Sequence, residues 1–249
     1  MHRGSERPLL EGKIALVTGA SRGIGRALAL AFAAAGAAVG ALARSGEELE
    51  RLVTEIESNG GRALALPADV TDAGALRRSV EQTVQEFAGL DIVLANAGIS
   101  PPARSVTDSE PQLFRETLDV NLFGVYATLR AAIPHLQQRG RGNVIVVGSG
   151  MGHKASPNNA AYSSSKAALW MLTRVLAEEL RESDILVNEL IPGPVDTSIS
   201  QAGVSQILRD NPLEWLKRPE DVAPLALFLA SLPPKGPTGQ SFSLARREL

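Results

Sequence analysis

The feature that most constrains the fold is an apolar run that leads directly into a glycine-rich turn and an Ala-rich stretch. Residues 14–17 are purely apolar, residues 18–25 contain three glycines, and the following residues to about 35 are helical in character. A purely apolar strand is typical of a parallel sheet that is covered on both faces. The turn glycines let backbone approach a ligand, and the start of a helix offers free amide groups to an anion. The pattern therefore predicts an anion site between the first strand and the first helix.

Apolar runs continue to alternate with helical stretches along the chain, which predicts an α/β protein with a parallel sheet. We predict strands at residues 14–17, 37–43, 62–66, 91–95, 143–147, 185–191 and 238–244. We predict helices at residues 23–35, 47–58, from about 73, 110–138, 162–180 and from 218. A chain of 249 residues without a Pro/Gly/Ser-rich linker suits a single domain over residues 1–249, with residues 1–12 as an N-terminal extension.

Composition excludes several classes of function. The formal net charge is −2 and basic residues are scattered, so we do not expect nucleic acid as a partner. The absence of cysteine excludes disulfides, thiolate zinc sites and cysteine nucleophiles, and is compatible with a reducing cytoplasm. None of the three histidines has a second ligand at metal spacing, so no metal site is expected. Residues 1–12 lack the apolar core of a signal peptide, and no apolar run reaches the ~18 residues of a membrane span.

Two side chains of the helix at 162–180 suggest acid/base chemistry. Tyr162 and Lys166 are four residues apart, so their side chains lie on the same helix face. A nearby positive charge favours phenolate and lowers the pKa of a Tyr, which makes Tyr162 a candidate acid or base. The alternative is an ordinary exposed pair. Ser149 follows the strand at 143–147, and α/β sheets place catalytic groups at the carboxyl ends of strands.

Several motifs in one order resemble the classical short-chain dehydrogenase/reductase family, and in particular its 3-oxoacyl-[acyl-carrier-protein] reductase-like members. They are the turn at 18–25, Asn96-Ala97-Gly98, Asn-Leu-Phe-Gly at 121–124, Ser149, Tyr162 with Lys166, and Pro192-Gly193. The resemblance runs from about residue 13 to about residue 244. It implies a Rossmann fold with a seven-stranded parallel sheet and helices on both faces, and hydride transfer between a nicotinamide and a carbonyl or alcohol carbon.

The resemblance also implies roles for four catalytic residues. Ser149 would donate a hydrogen bond to the substrate oxygen, and Tyr162 would supply or remove its proton. Lys166 would lower the pKa of the phenol and hold the nicotinamide ribose. Asn121 would bend its helix and hold a water that relays protons, although an Asn in a helix is often only a local backbone partner. Met151, in the turn after Ser149, would lie beside the substrate together with Ser149 and Tyr162.

The cofactor-binding residues implied by the resemblance come from many parts of the chain. They are Gly19, Ser21, Arg22, Gly23, Ile24, Gly25, Arg44, Asp69, Val70, Asn96, Ala97, Gly98, Tyr162, Lys166, Pro192, Gly193, Val195 and Thr197. Where an NAD enzyme would use a carboxylate, this chain has Ala43, followed by Arg44. Arg22 lies close to the same place in the family's fold, and two cations without a carboxylate favour NADP over NAD. The alternative is that both arginines are solvated surface charges. The resemblance implies that Asp69 accepts a hydrogen bond from the adenine amino group. Asp69 could instead cap the next helix, but Thr71 or Asp72 is the better cap.

The sequence leaves several classes of substrate open. Residues 198–217 would form a substrate loop, or would pack as a surface helix. Ketone reduction and 3-oxoacyl reduction are both expected candidates. The alternatives are an NAD-dependent alcohol, sugar or steroid dehydrogenase, and a non-catalytic NADP-binding sensor. Carrier-protein reductases usually have an Arg before the sixth strand, where this chain has Ser183-Asp184, so an acyl carrier protein is a weaker expectation. Arg139 and Arg141 could supply part of a docking patch, or form a solvated loop.

The C-terminal residues depart from the family pattern. Relatives usually follow the seventh strand with Asp-Gly-Gly, whereas this chain continues Leu-Ala-Arg-Arg-Glu-Leu over residues 244–249. Because this edge packs between subunits in the family, we expect a homo-oligomer but leave a tetramer or a dimer open.

Overall fold

The computed structural model describes residues 7–197, 208 and 213–246. Its centre is a seven-stranded sheet in which every neighbouring pair is parallel. The strands are β1 (Ile14–Thr18), β2 (Ala38–Ala43), β3 (Arg62–Pro67), β4 (Ile92–Ala95), β5 (Gly142–Val147), β6 (Ile185–Ile191) and β7 (Ser241–Ser243). Their order is β3-β2-β1-β4-β5-β6-β7, so the predicted seven-stranded parallel sheet is confirmed.

Helices connect the strands and cover both faces of the sheet. The α-helices are α1 (Gly23–Ala34), α2 (Gly46–Ser58), α3 (Ala73–Phe87), α4 (Pro111–Leu118), α5 (Gly124–Arg139), α6 (Ala160–Glu179) and α7 (Ala223–Ala230). Asp72 caps α3, since its side chain accepts from the amides of Gly74 at 2.9 Å and Ala75 at 3.0 Å. This cap is one of the two that the sequence offered for α3.

Two apolar cores hold the three layers together. Alternate residues of β1 face opposite sides, so that Ala15 and Val17 pack with α1, α2 and α7, whereas Ile14 and Leu16 pack with α3, α5 and α6. All five residues of β1 are buried. This double coverage is the reason that residues 14–17 of the strand are all apolar rather than alternating.

Three predicted elements differ from the structure. The helical region 110–138 is divided by a π-helical turn at Asp119–Phe123, which lies between α4 and α5 and contains Asn121. The helix expected from residue 218 begins as a 3₁₀ turn, Pro219–Val222, and continues as the eight-residue α7. The seventh strand is shorter than residues 238–244. Most of the predicted substrate loop at 198–217 lies outside the described residues.

The order of the strands fixes the position of a crevice. The chain moves outward from β1 through β2 to β3, and then returns to the other side of β1 at β4. Ligands of open α/β sheets bind at such a switch point, beyond the carboxyl ends of the strands. No helix within the described residues is long and apolar enough to cross a bilayer.

Candidate active site

A cleft of about 690 Å³ opens at the carboxyl ends of the central strands. This volume lies in the range of pockets that enclose small organic ligands. The predicted site residues that line it are Gly19, Ser21, Arg22, Gly23, Ile24, Arg44, Asp69, Val70, Asn96, Ala97, Gly98, Ser149, Met151, Tyr162, Lys166, Pro192, Gly193, Val195 and Thr197. Gly25 and Asn121 are the two predicted residues that do not line it. The structure thus brings residues from most of the chain into one cleft.

The glycine turn is shaped by close backbone contacts. Gly19 adopts the left-handed conformation with φ of 68°, which suits a residue without a side chain. Gly25 packs directly behind it, and a Cβ placed on Gly25 would lie 2.2 Å from the carbonyl oxygen of Gly19. Gly25 therefore packs against the side of the turn that faces away from the cleft. Around the start of α1, the residues that line the cleft are Ser21, Arg22, Gly23 and Ile24. The amide groups of this helix start suit the pyrophosphate of a dinucleotide.

Thr18 and Asn96 join the ends of β1 and β4. The Thr18 hydroxyl accepts from the amides of Asn96 at 3.0 Å and Ala97 at 3.1 Å. In return, Asn96 Nδ2 donates to the Thr18 carbonyl at 3.0 Å. These bonds fix the turn at 96–98 against the glycine turn. Thr18 was not among the predicted site residues, although its position directly before Gly19 could have indicated this role.

Tyr162, Lys166 and Ser149 meet in the cleft. Lys166 Nζ lies 5.7 Å from the centre of the Tyr162 ring, as the spacing of four residues on α6 predicts. The same Nζ donates to the carbonyl oxygen of Val147, at the end of β5, over 2.8 Å. The Ser149 hydroxyl interacts with the phenol of Tyr162 and also accepts from the amide of Met151 at 3.2 Å. An alcohol, a phenol and an amine therefore converge where β5 and α6 border the cleft.

Burial controls the ionisation of the phenol and the amine. It raises the pKa of Tyr162, and the interaction with Ser149 offsets only part of that rise. Burial also lowers the pKa of Lys166 from 10.5 to about 8, and the negative charge of Glu189 opposes that change. The predicted lowering of the pKa of Tyr162 is wrong for this structure, because loss of hydration disfavours phenolate more strongly than its polar surroundings favour it.

Asn121 is fully buried in the π-helical turn and uses both polar atoms of its side chain. Its Oδ1 accepts from the amide of Ile99 at 2.7 Å, and its Nδ2 donates to the carbonyl of Ile99 at 2.9 Å. The same Nδ2 donates to Ser165 Oγ at 3.0 Å. The side chain thus ties the segment after β4, where Ile99 lines the cleft, to the residue directly before Lys166. Ser165 was missed by the sequence reasoning.

Two exposed arginines border one end of the cleft. Neither Arg22 nor Arg44 has an ion-pair partner within residues 7–197, 208 and 213–246. Ser45 and Glu48 line the same end and were not predicted. The Glu48 carboxylate accepts from Arg51 at 2.9 Å, so this acid is already paired with a base of its own helix. The charge left at this end is positive.

Asp69 and Thr197 lie at the predicted places along the cleft wall. Asp69 Oδ1 accepts from the amide and the hydroxyl of Thr71, at 2.9 and 2.8 Å, which fixes its side chain at the cleft. Thr197 approaches the start of α1, since a Cβ placed on Gly23 would lie 3.3 Å from Thr197 Cγ2. The segment after β6 therefore closes over the glycine turn.

The family model described as short chain dehydrogenase matches residues 13–207. The chain belongs to the short-chain dehydrogenase family. The 3-oxoacyl-[acyl-carrier-protein] reductase FabG of Thermotoga maritima is 35% identical over 235 residues, which cover 93% of this chain and 95% of the relative. The resemblance that the sequence indicated is thus confirmed.

Two solved structures show how closely this short-chain dehydrogenase follows its relatives. A short chain dehydrogenase from Burkholderia cenocepacia in complex with NADP is 34% identical, with a TM-score of 0.89 over 96% of this chain and 98% of that one. A 3-oxoacyl-[acyl-carrier protein] reductase from Brucella melitensis with bound NAD is 35% identical, with a TM-score of 0.88 over 96% and 92% of the two chains. The family binds a nicotinamide cofactor, and these two relatives carry different forms of it.

The described part of this short-chain dehydrogenase contains no group of three His, Asp or Glu side chains that could hold a metal ion. One buried acid next to the cleft was missed entirely. Glu189 lies in β6, is fully buried, and acts electrostatically on Lys166. Its position inside a strand whose other residues, apart from Asn188, are apolar is the sequence signal that could have identified it.

Proposed function

We propose that this short-chain dehydrogenase is an NADPH-dependent carbonyl reductase in which Ser149, Tyr162 and Lys166 act on the substrate oxygen. The observation that carries the proposal is the convergence of these three side chains in the cleft that the glycine turn also lines. The convergence supports acid/base chemistry beside the site that suits a dinucleotide.

The raised pKa of Tyr162 supports the reducing direction. A phenol that keeps its proton at neutral pH is available as an acid, which is what an alkoxide formed from a carbonyl requires. When bound, the nicotinamide supplies the hydride for the carbonyl carbon. Ser149 donates a hydrogen bond to the carbonyl oxygen, Tyr162 transfers its proton to that oxygen, and the ammonium of Lys166 stabilises the phenolate that is left. Asn121 holds the loop and the helix that border these groups.

NADP is the proposed cofactor. The two arginines at the end of the cleft would bind the 2′-phosphate, and Ser45 at the start of α2 would offer its hydroxyl. The pairing of Glu48 with Arg51 supports this assignment, because it removes the acid that would repel a phosphate. NAD remains the alternative cofactor, since a relative of similar identity binds it.

A small ketone is a better substrate candidate than a thioester on a carrier protein. Arg139, one of two basic residues considered for docking, donates to the buried Asp91 at 3.1 Å and so has a structural role. Both Arg139 and Arg141 precede β5, whereas Ser149 follows it. The basic patch would therefore lie at the opposite end of a strand that is about 20 Å long.

We also propose a homo-oligomer, either a dimer or a tetramer. Several large apolar side chains are exposed, among them Phe123 and Tyr126 on the π-helical turn and α5, and Met171 and Val175 one turn apart on α6. A second copy of the chain would cover such a surface. Light scattering of the purified protein would give the number of subunits. A cytoplasmic compartment stays a prediction, which cell fractionation would test.

The test of the proposed function is NADPH oxidation with a panel of ketones and acyl thioesters. The wild type should oxidise NADPH with at least one ketone, and Tyr162→Phe should lower kcat by about 10² to 10⁴ while NADPH still binds. Tyr126→Phe is the matched control, because Tyr126 is the other of the chain's two tyrosines and does not line the cleft. A non-catalytic sensor would bind NADPH and consume none with any compound.

A further inference from the structure

A buried acid lies directly behind the candidate catalytic lysine. Glu189 is the fifth residue of β6 and has no exposed surface, whereas its neighbours Leu190 and Ile191 are ordinary core residues. A buried carboxylate is strongly unfavourable unless hydrogen bonds or an opposite charge compensate for its lost hydration. The partners of Glu189 therefore indicate what the acid does.

Two side chains hold one oxygen of this carboxylate. His153, directly after the 3₁₀ turn Gly150–Gly152, places its Nε2 at 2.9 Å from Glu189 Oε2. The hydroxyl of Ser241 in β7 donates to the same Oε2. Trp170 of α6 packs edge-on against the His153 ring, with the two ring centres 5.4 Å apart. The carboxylate is thus held by two side chains, and Trp170 supports one of them, His153.

The other oxygen points toward the strand that carries the catalytic groups. Glu189 Oε1 is buried and has no hydrogen-bond partner within the described residues. It lies against Gly148: a Cβ placed on Gly148 would be only 1.9 Å from this oxygen. Gly148 stands between Val147, whose carbonyl accepts from Lys166, and Ser149. The unpaired oxygen therefore faces the backbone on which Lys166 is anchored.

Few ionisable groups act on Lys166. Within the described residues, Tyr162 lies near it on the same helix, and Glu189 approaches from β6. His153 is the ionisable group that contacts Glu189. Among these, Glu189 supplies the negative charge. Burial lowers the pKa of Lys166 to about 8, and the charge of Glu189 is the influence that raises it.

We propose that Glu189, clamped by His153 and Ser241, is a positioning residue that keeps Lys166 in its ammonium form in the cleft. The proposal deepens the proposed function, since the ammonium stabilises the phenolate of Tyr162. It also accounts for Gly148, because any side chain at that position would displace the carboxylate.

The decisive measurement is the titration of Lys166 itself. The chain has five lysines, so labelling lysine with ¹³C at the ε-carbon gives few NMR signals, and the signal missing from Lys166→Met identifies Lys166. In the full chain, Glu189→Gln should shift the titration midpoint of Lys166 downward by roughly 1 pH unit, as expected for loss of a nearby opposite charge. Glu182→Gln removes the same charge from an exposed position and should leave the midpoint unchanged.

A second variant guards against poor folding of Glu189→Gln. Glu189→Met combined with His153→Leu replaces the polar pair by apolar side chains of similar size, which proteins often tolerate well. It should shift the Lys166 midpoint in the same direction. A midpoint equal to that of the wild type, in either variant, overturns the proposal.

Enzyme activity separates this proposal from the function on which it rests. With an accepted ketone, Glu189→Gln should move the alkaline limb of the kcat/KM profile to lower pH by the same amount as the NMR midpoint. A residue with only a structural role would lower activity without moving that limb. If no carbonyl compound is reduced by the wild type, the proposed function fails, whereas the NMR titration still decides whether Glu189 controls Lys166.

Discussion

Asn121 and Ile99 hydrogen-bond each other twice, the amide of Ile99 donating to the Asn121 side chain at 2.7 Å and the Ile99 carbonyl accepting from it at 2.9 Å. Ile99 lies after the end of β4, and the Asn121 side chain bonds both its N–H and its C=O, as a neighbouring strand would. It thereby satisfies two partly buried backbone groups beside the cleft.

Replacing Asn121 should therefore lower the stability of the protein as well as its activity. Asn121→Ala leaves the amide and carbonyl of Ile99 unsatisfied, and we expect the free energy of unfolding to fall by about 2 to 4 kcal/mol. Urea unfolding followed by fluorescence would measure this. Ser165→Ala removes one bond to Asn121 and keeps the pair with Ile99, so its loss should be clearly smaller. Equal stability of Asn121→Ala and wild type would contradict the structural role.

Sequence reasoning succeeded where local pattern and topology act together. The apolar run that became β1 and the alternation of elements predicted the parallel sheet, since a strand covered on both faces is typically a near-continuous apolar run. The motif residues then gathered at one edge because parallel strands place all their carboxyl ends there. Gly19 after β1 and Thr197 after β6, far apart in the chain, reach the same cleft for this reason.

What sequence reasoning missed depends on packing across the sheet. The pKa of Tyr162 could not be predicted from the neighbouring Lys166 alone, because it is set mainly by burial. Glu189 was overlooked because its compensation comes from His153 and Ser241, which belong to other elements. The resemblance implied a bend of the helix at Asn121, but not its π-helical form or the tertiary bonds of Asn121 to Ile99.

The space behind the glycine turn leads to a second prediction. In Gly25→Ala the new methyl group would lie 2.2 Å from the Gly19 carbonyl and 2.5 Å from Asn96 Nδ2, so the turn must move. We expect the free energy of unfolding to fall by about 1 to 3 kcal/mol, as in other overpacked sites. NADPH affinity should fall as well, because the displaced turn lines the cleft. Fluorescence titration with NADPH and thermal unfolding would measure the two effects.

Gly74→Ala is the matched control for this change. Gly74 also lies in the first turn of a helix, but its nearest neighbours are side-chain atoms of Asp72 and Arg78, at 3.2 and 3.4 Å. It should retain wild-type NADPH binding. If Gly25→Ala binds NADPH as tightly as Gly74→Ala does, the close packing of the turn is not needed for cofactor binding.

The lowered pKa of Lys166 predicts how stability depends on pH. The folded value is about 8 and the ordinary value is 10.5, so between these limits the unfolded chain binds more protons than the folded one. Through this group, the free energy of unfolding should therefore rise with pH across that window, by about 3 kcal/mol in total. Lys166→Met lacks the group, and the difference in unfolding free energy between the two proteins should follow this curve. A difference that is constant from pH 8 to 10.5 would show that Lys166 titrates normally.

Arg44 should determine which cofactor is preferred. Its exposed guanidinium borders the cleft without an ion-pair partner in the described part of the chain, and is thus available to a 2′-phosphate. A charge-assisted hydrogen bond contributes about 1.5 to 3 kcal/mol, so Arg44→Ala should lower the ratio of kcat/KM for NADPH to that for NADH by about tenfold or more. Activity with NADH should change little, because NADH carries no phosphate at that position.

Arg181→Ala, which removes an exposed arginine paired with Glu178 far from the cleft, is the control and should leave the ratio unchanged. A wild type that uses NADH as well as NADPH, or an unchanged ratio in Arg44→Ala, would assign the arginine to the solvated surface.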